Sequence, residues 1–225
     1  AIPMKRHQRP EMKFLARDEV EALFACIPAQ DRLSLRDRAL LMLLYNTGAR
    51  VSEVAQLKVG QLDLASPARV RLLGKGSKWR TCPLWSQTAK ALQDMLDERT
   101  TALSPDTIVF VGGTGVGMTR FGIYKRIRHY AKLWEAAGVQ ASRTHITPHV
   151  FRHTTAVHLL ESGVEVNVIR GWLGHVNLET TNRYAEITIR MKAEALKLLE
   201  PVAGGKARKS AWRDDAAMLA WLSSL

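Results

Sequence analysis

At 225 residues the chain is long enough for a core of ordinary size, and 46% hydrophobic with 24% charged residues is the balance of a globular protein, not a disordered or fibrous one. Its 33 Lys and Arg against 21 Asp and Glu leave a net charge of +12, which selects a polyanionic partner, either nucleic acid or an acidic membrane surface. Two cysteines, Cys26 and Cys82, make no disulfide framework, no stretch approaches the ~18 apolar residues of a membrane span, and no secretory h-region opens the chain. Reduced core thiols and a cytoplasmic, nucleoid-associated location without membrane contact are expected. The chain begins on Ala1, not on an initiator Met, which points to a piece of a longer protein.

Residues 1–13 form a basic, proline-punctuated arm. Residues 17–27 carry Val20, Leu23, Phe24 and Ile27 at helical spacing, with Ala16 where a capping Ser or Thr is usual. A strongly apolar helix is predicted over 34–46, stopped at Asn46-Thr47-Gly48, and another over 50–57. Residues 69–73 and 80–84 read as two short strands joined by the Gly- and Lys-rich turn GKGSKW. A helical pattern returns over 87–98, and an apolar run at 108–111 leads into the loop GGTGVG. That loop lacks the G-K-[ST] ending of a phosphate-binding loop and is read as a surface turn. Residues 119–136 form a basic amphipathic helix with Ile123, Ile127, Tyr130 and Leu133 as its stripe. The expected class is mixed, mainly α with a small antiparallel β-sheet (α+β).

The most punctuated stretch is Thr147 to Tyr184. Thr147 caps a helix with Pro148 at its first position, and His149 and Arg152, three residues apart, share one face. Gly163 stops that helix; a second apolar run, Val166 to Leu173, ends at Gly174, and His175 follows at once. Nine residues later comes Tyr184, behind a Thr180-Thr181 pair suited to capping a short helix. A helix around 188–200 and the linker PVAGGKARKS precede a last stripe of Met218, Trp221, Leu222 and Leu225.

These residues share one chemistry. Arg50, after the TGA turn, has a planar fork suited to a phosphate, and Glu53 can hold that fork in place. Lys75 in the turn is an ammonium on a flexible stem, and Tyr184 has an oxygen able to attack phosphorus and carry a stable phosphodiester. Two arginines, a lysine, two histidines and a tyrosine suit attack on a phosphodiester, whose transition state spreads negative charge. No acidic cluster stands ready for Mg²⁺. His145, His149 and His153 recur at four-residue spacing, but Pro148 interrupts them and no Cys or carboxylate completes a ligand set, so no metal and no cofactor are expected. His158 is read as structural. Arg69, Arg71, Lys78 and Arg80 on the strand–turn–strand, with Lys125, Arg126 and Arg128 on the basic helix, are the expected contacts to double-stranded DNA.

TGARVSE, GKGSKWR, HVFRHT, LGH and TTNRY, in that order over roughly residues 14 to 200, resemble the tyrosine recombinase (phage-type integrase) family. The resemblance implies a site of Arg50, Lys75, His149, Arg152, His175 and the nucleophile Tyr184. In that family the tyrosine attacks a DNA phosphate, forms a 3′-phosphotyrosyl link and frees a 5′-hydroxyl, and a partner strand's hydroxyl reverses the step without ATP or metal. By that analogy Arg50 and Arg152 clamp the phosphate, Lys75 protonates the leaving oxygen, His149 handles the tyrosine's proton, His175 bonds the phosphate and Glu53 supports. The resemblance further implies a catalytic domain over 14–203, a linker and C-terminal docking helix over 204–225, and a tetramer on two DNA sites from a monomer free in solution. Full recombinases of that family usually carry an N-terminal DNA-binding domain; the sequence here opens on the arm, so that domain is expected to be either cut away or missing. The alternatives are type IB topoisomerase-like strand relaxation and a non-catalytic DNA-binding accessory protein of the same fold.

Overall fold

The computed structural model describes residues 13–28, 31–99, 103–137 and 145–174, which belong to one compact unit. In chain order these give α1 (Arg17–Ala25), α2 (Arg32–Thr47), α3 (Val51–Ala55), a 3-10 turn (Val59–Gln61), β1 (Leu62–Asp63), β2 (Arg69–Leu73), β3 (Trp79–Pro83), α4 (Ser86–Asp97), α5 (Arg120–Ala136), α6 (Pro148–Glu161) and α7 (Val166–Leu173). The fold is mainly helical with a three-stranded antiparallel sheet in the order β1-β2-β3, the class expected from the sequence.

Helix α2 is the central element. It starts at Arg32, two residues before the expected start, because Asp31 Oδ1 accepts from the backbone N–H groups of Leu33 (2.8 Å) and Ser34 (3.0 Å). Ala39, Leu40, Leu41, Leu43 and Leu44 are all buried, since α4 packs on one side of α2 and α6 on another. It ends where Gly48 turns into the left-handed region, φ +58°. The same principles set α6, where Thr147 Oγ1 accepts from Val150 N–H and Pro148 occupies the first position, and α7, which stops at Gly174 with φ +63°.

In the sheet, Val70 and Leu72 point into the core while Arg69, Arg71 and Leu73 point out, the alternation of a half-buried strand. Leu73 pairs with Trp79, so β3 begins one residue earlier than the predicted strand, and Gly74 N–H donates to the Lys78 carbonyl (2.8 Å) to close the turn. Strand β1, two residues long, was not foreseen. The 108–111 run forms a bridge from Lys58 to Ile108, and GGTGVG is the surface turn expected, with Gly112 N–H on the Val116 carbonyl (2.7 Å).

On α5 the buried stripe is Ile123, Ile127, Tyr130, Ala131 and Trp134; Leu133, expected in it, is 42% exposed. At about 100° per residue, Leu133 lies about 80° away from the Ile123 direction, whereas Trp134 returns close to it. Asp37, in the middle of α2, is the buried polar anchor of this helix. Its Oδ1 accepts from Arg36 Nε (2.9 Å) and Nη2 (2.6 Å), and its Oδ2 from Arg126 Nε (2.9 Å) and Tyr130 Oη (2.9 Å). A carboxylate with four donors is satisfied; Asp37 therefore joins α2 to α5. No helix among the described residues is long and apolar enough to cross a membrane.

Candidate active site

Arg50 is the residue that caps α3, between the Gly48 turn and the helix. Its backbone N–H donates to Glu53 Oε2 (2.8 Å) and its Nη1 to Glu53 Oε1 (3.1 Å), while a third of its side chain stays exposed. The spacing of three puts the carboxylate directly over the free N–H at the helix start. Glu53 is itself buried, and a second arginine completes its shell: Arg80 Nη1 reaches Oε1 at 2.9 Å and Nη2 reaches Oε2 at 2.7 Å. Burial alone would push the Glu53 carboxyl up; the Arg80 hydrogen bonds and charge, joined by Arg50, overcome it and hold Glu53 below the usual range. Burial likewise opposes the Arg80 charge, and Glu53 outweighs it, so that guanidinium is held more firmly protonated.

Arg152, on the face of α6 turned inward, is 6% exposed. Its Nη1 donates to the Gly48 carbonyl (2.6 Å) and its Nη2 to the Leu173 carbonyl (2.7 Å). One guanidinium thus ties the turn two residues before Arg50 to the last residue of α7. Arg80 Nε donates to the neighbouring carbonyl, Trp172 (2.9 Å), and Trp172 Nε1 returns a bond to the Asn46 carbonyl (3.2 Å). Carbonyls in the last turn of a helix lack partners within it, and here two arginines supply them. Close packing at this junction needs glycine: a Cβ on Gly48 would lie 2.4 Å from Leu173 Cδ2, and one on Gly174 3.2 Å from Arg80 Cδ.

Lys75 stands exposed in the β2–β3 turn. Beside it an open cleft of about 500 Å³ is lined by Lys75, Lys78, Trp79 and Arg80 from the hairpin and by Asn167, Arg170 and Gly174 from α7. His149 is exposed on the first turn of α6. Among the described residues no group of three or more His, Cys, Asp or Glu gathers as a metal site. His158 is buried, with Nδ1 2.7 Å from Tyr45 Oη, and burial lowers its readiness to protonate. His175 and Tyr184 lie outside the described residues, as do the expected arm up to residue 12, the helix around 188–200 and the tail stripe.

The residues expected on DNA divide in two. Arg71, Lys78 and Lys125 are exposed; the Arg71 guanidinium lies 5.1 Å from the Trp79 ring centre and Lys125 Nζ 4.6 Å from that of Phe121. Arg69 is also outward, paired with Asp63 Oδ2 (2.9 Å). Three others hold protein partners not foreseen from the sequence. Arg80 is bound to Glu53 and the Trp172 carbonyl, Arg126 to the buried Asp37, and Arg128 to the Ile146 carbonyl (3.2 Å) and Glu135 (3.6 Å). The Arg80 and Arg126 partners Glu53 and Asp37 lie 27 and 89 residues away in sequence, so no local pattern reveals them. Trp79, Asn167 and Arg170 were missed, although 167, 170, 171 and 174 recur at the spacing of one helix face.

A profile of the phage integrase family matches residues 13–191. The tyrosine recombinase XerD of Vibrio cholerae is 38% identical over 184 residues, 80% of this chain and 59% of that protein. Among solved structures, the XerA recombinase superposes with a TM-score of 0.70 at 28% identity, covering 86% of this chain and 67% of that one. The XerH site-specific recombinase in its post-cleavage complex with palindromic difH substrate gives 0.71 at 23% identity, over 84% and 54%, and supports the fold. The chain spans about three-fifths of the length of the curated relatives it matches.

Proposed function

The chain belongs to the phage integrase family, and we propose that it is a site-specific DNA recombinase that cleaves and rejoins strands through a 3′-phosphotyrosyl intermediate at Tyr184. The observation that carries the reading is the junction made by Arg152. That side chain bonds the carbonyls two residues before Arg50 and two residues before His175, so segments separated in sequence by about a hundred residues meet at one place. The lining of the neighbouring cleft includes four cationic side chains, Lys75, Lys78, Arg80 and Arg170.

In the proposed reaction the Tyr184 oxygen attacks a phosphorus of the DNA backbone as the bond to the 5′-oxygen breaks. The phenolic proton passes to His149, and Lys75 gives a proton to the leaving 5′-oxygen. Arg50, Arg152 and His175 meet the charge that grows on the non-bridging oxygens. A 5′-hydroxyl of the partner strand then attacks the phosphotyrosine in the reverse sense, so bond number is conserved and no ATP is required. Cationic side chains provide the charge stabilisation, and metal and cofactor have no step to perform. The catalytic unit is assigned to residues 14–203, acting as a tetramer on two DNA sites, with 204–225 as the docking element between protomers. The relatives' names, recombinase in each case, and the transposon right end DNA bound by the Tn1549 integrase, a fold neighbour, support double-stranded DNA as the partner.

The test is a nicked suicide duplex from which the cleaved 5′ end diffuses away. The intact chain accumulates a covalent protein–DNA adduct, with or without EDTA, and Tyr184→Phe binds the duplex without forming one. An adduct from the Phe variant removes Tyr184 as the nucleophile, and adduct formation that depends on metal overturns the scheme.

A further inference from the structure

Arg80 stands where three parts of the site meet. It lies in β3, five residues beyond Lys75 on the same hairpin. Its two Nη groups fork onto Glu53, and Glu53 Oε1 also accepts from Arg50 Nη1. Its Nε holds the Trp172 carbonyl at 2.9 Å, in the last turn of α7, three residues before His175. The Arg80 side chain is 9% exposed and that of Glu53 3%. Turning Arg80 outward to a phosphate would take from a buried carboxylate two of its four N–H donors and one of its two counter-charges, which is costly. Gly174 closes behind it, its α-carbon bare against the Arg80 side chain.

We propose that Arg80 is a positioning residue of the strand-transfer site. It acts through Glu53 on the Arg50 guanidinium, and through the Trp172 carbonyl on the end of α7 that leads into His175, without touching DNA itself. The proposal rests on the reading of Arg50 and His175 as phosphate ligands. Both effects concern the non-bridging oxygens, so the leaving oxygen is indifferent to Arg80. A lysine at this position keeps the charge, but one ammonium cannot fork onto both carboxylate oxygens and hold the carbonyl as well.

Single-turnover cleavage on the suicide duplex, DNA affinity across a salt series, and Tm would be measured for the intact chain, Arg80→Lys and Arg80→Gln. The expected result for Arg80→Lys is cleavage slower by about a hundredfold, the scale of a small misplacement of reacting groups. DNA affinity and its salt slope stay unchanged. A duplex with sulfur at the 5′-bridging position, whose thiolate leaves easily, restores Lys75→Ala but not Arg80→Lys. In the double variant Arg50→Ala/Arg80→Lys the lysine slows cleavage by a smaller factor than it does alone, because the path through Glu53 is shared with Arg50 while the path through Trp172 is not. A wild-type rate in a folded Arg80→Lys or Arg80→Gln overturns the proposal, as does a salt slope lowered by about one, which marks a lost phosphate contact. Rescue by the sulfur duplex, fully multiplicative rates in the double variant, or failure of both single variants to fold overturns it equally. An intact chain that forms no adduct defeats the reading of the site itself, a different result from any of these.

Discussion

Replacing Glu53 by glutamine tests the centre of the proposed site with almost no change of shape. Four N–H donors converge on the carboxylate: the Arg50 backbone at 2.8 Å, Arg50 Nη1 at 3.1 Å, and the two Nη groups of Arg80 at 2.9 and 2.7 Å. Glutamine keeps one acceptor oxygen and turns an NH₂ toward a guanidinium. The Arg80 charge, 9% exposed, is then left without its counter-charge. Removing one partner of a buried pair costs about 3–5 kcal/mol. For a chain of this size that lowers Tm by roughly 6–20 °C, at about 2–4 °C per kcal/mol. The effect has a pH signature. The folded-state pKa of Glu53 lies below the unfolded one, since Arg80 and Arg50 outweigh the opposing burial. A carboxylate of that kind contributes its full stability above its unfolded value of about 4.3 and loses it as pH falls through the folded value. Urea denaturation of the two proteins across pH should show the whole gap at neutral pH and a shrinking one in acid. A gap under about 1 kcal/mol at neutral pH, or one of the same size in acid, refutes the account of Glu53 as a buried, doubly paired anion.

The other predictions concern the same junction and the surface around it. Gly48→Ala combines a left-handed backbone with a Cβ 2.4 Å from Leu173 Cδ2; strain of about 1–2 kcal/mol and overpacking of about 1–3 kcal/mol predict a loss of about 2–5 kcal/mol in denaturant unfolding. Lys75→Ala should slow cleavage of a normal duplex by about a hundredfold or more while a 5′-bridging sulfur restores most of it; equal defects on both substrates remove Lys75 as the general acid. DNA affinity should fall with salt by about 0.9 log unit per log unit for each phosphate neutralised. Lys78→Ala and Lys125→Ala should each lower that slope by about one, whereas Arg126→Ala should leave it alone and lower stability, because Arg126 serves Asp37. A reduced slope in Arg126→Ala would place that residue on DNA after all.

What the sequence disclosed follows from what is local. Thr147 with Pro148 announces a helix start and Gly48 and Gly174 announce stops, so α6, α7 and the end of α2 were legible within a residue or two, whereas the Asp31 cap that starts α2 two residues early was not read. Arg50 with Glu53 was legible for the same reason, since a pair three apart at a helix start is a local geometry. Strand β1 was not, because two residues show no alternation. Charge misled where its partner lay far along the chain. Arg126 reaches Asp37 across 89 residues and Arg80 reaches Glu53 across 27, and nothing local distinguishes either from the exposed Lys125 or Lys78. The clearance between Gly48 and Leu173 was equally hidden, since only the packed chain brings α7 against that turn.

The described part of the proposed site is made from ends: the Gly48–Arg50 turn, the tip of the β2–β3 hairpin, the first turn of α6 and the last turn of α7. Ends have backbone groups without partners, and the arginines at this junction spend donors on them: Arg152 on Gly48 and Leu173, Arg80 on Trp172. The same bonds close the gaps between elements and set where cationic groups sit. Activity and stability are therefore coupled at Glu53, Gly48 and Arg80 but separable at Lys75 and His149, which stand exposed and tie no two elements together among the described residues. A substitution series should sort accordingly. Changes at the junction lower Tm and cleavage together, and changes at the two exposed residues lower cleavage alone. Loss of Tm in Lys75→Ala comparable to that in Glu53→Gln would show that the hairpin tip is part of the frame, and the division between frame and chemistry would fail.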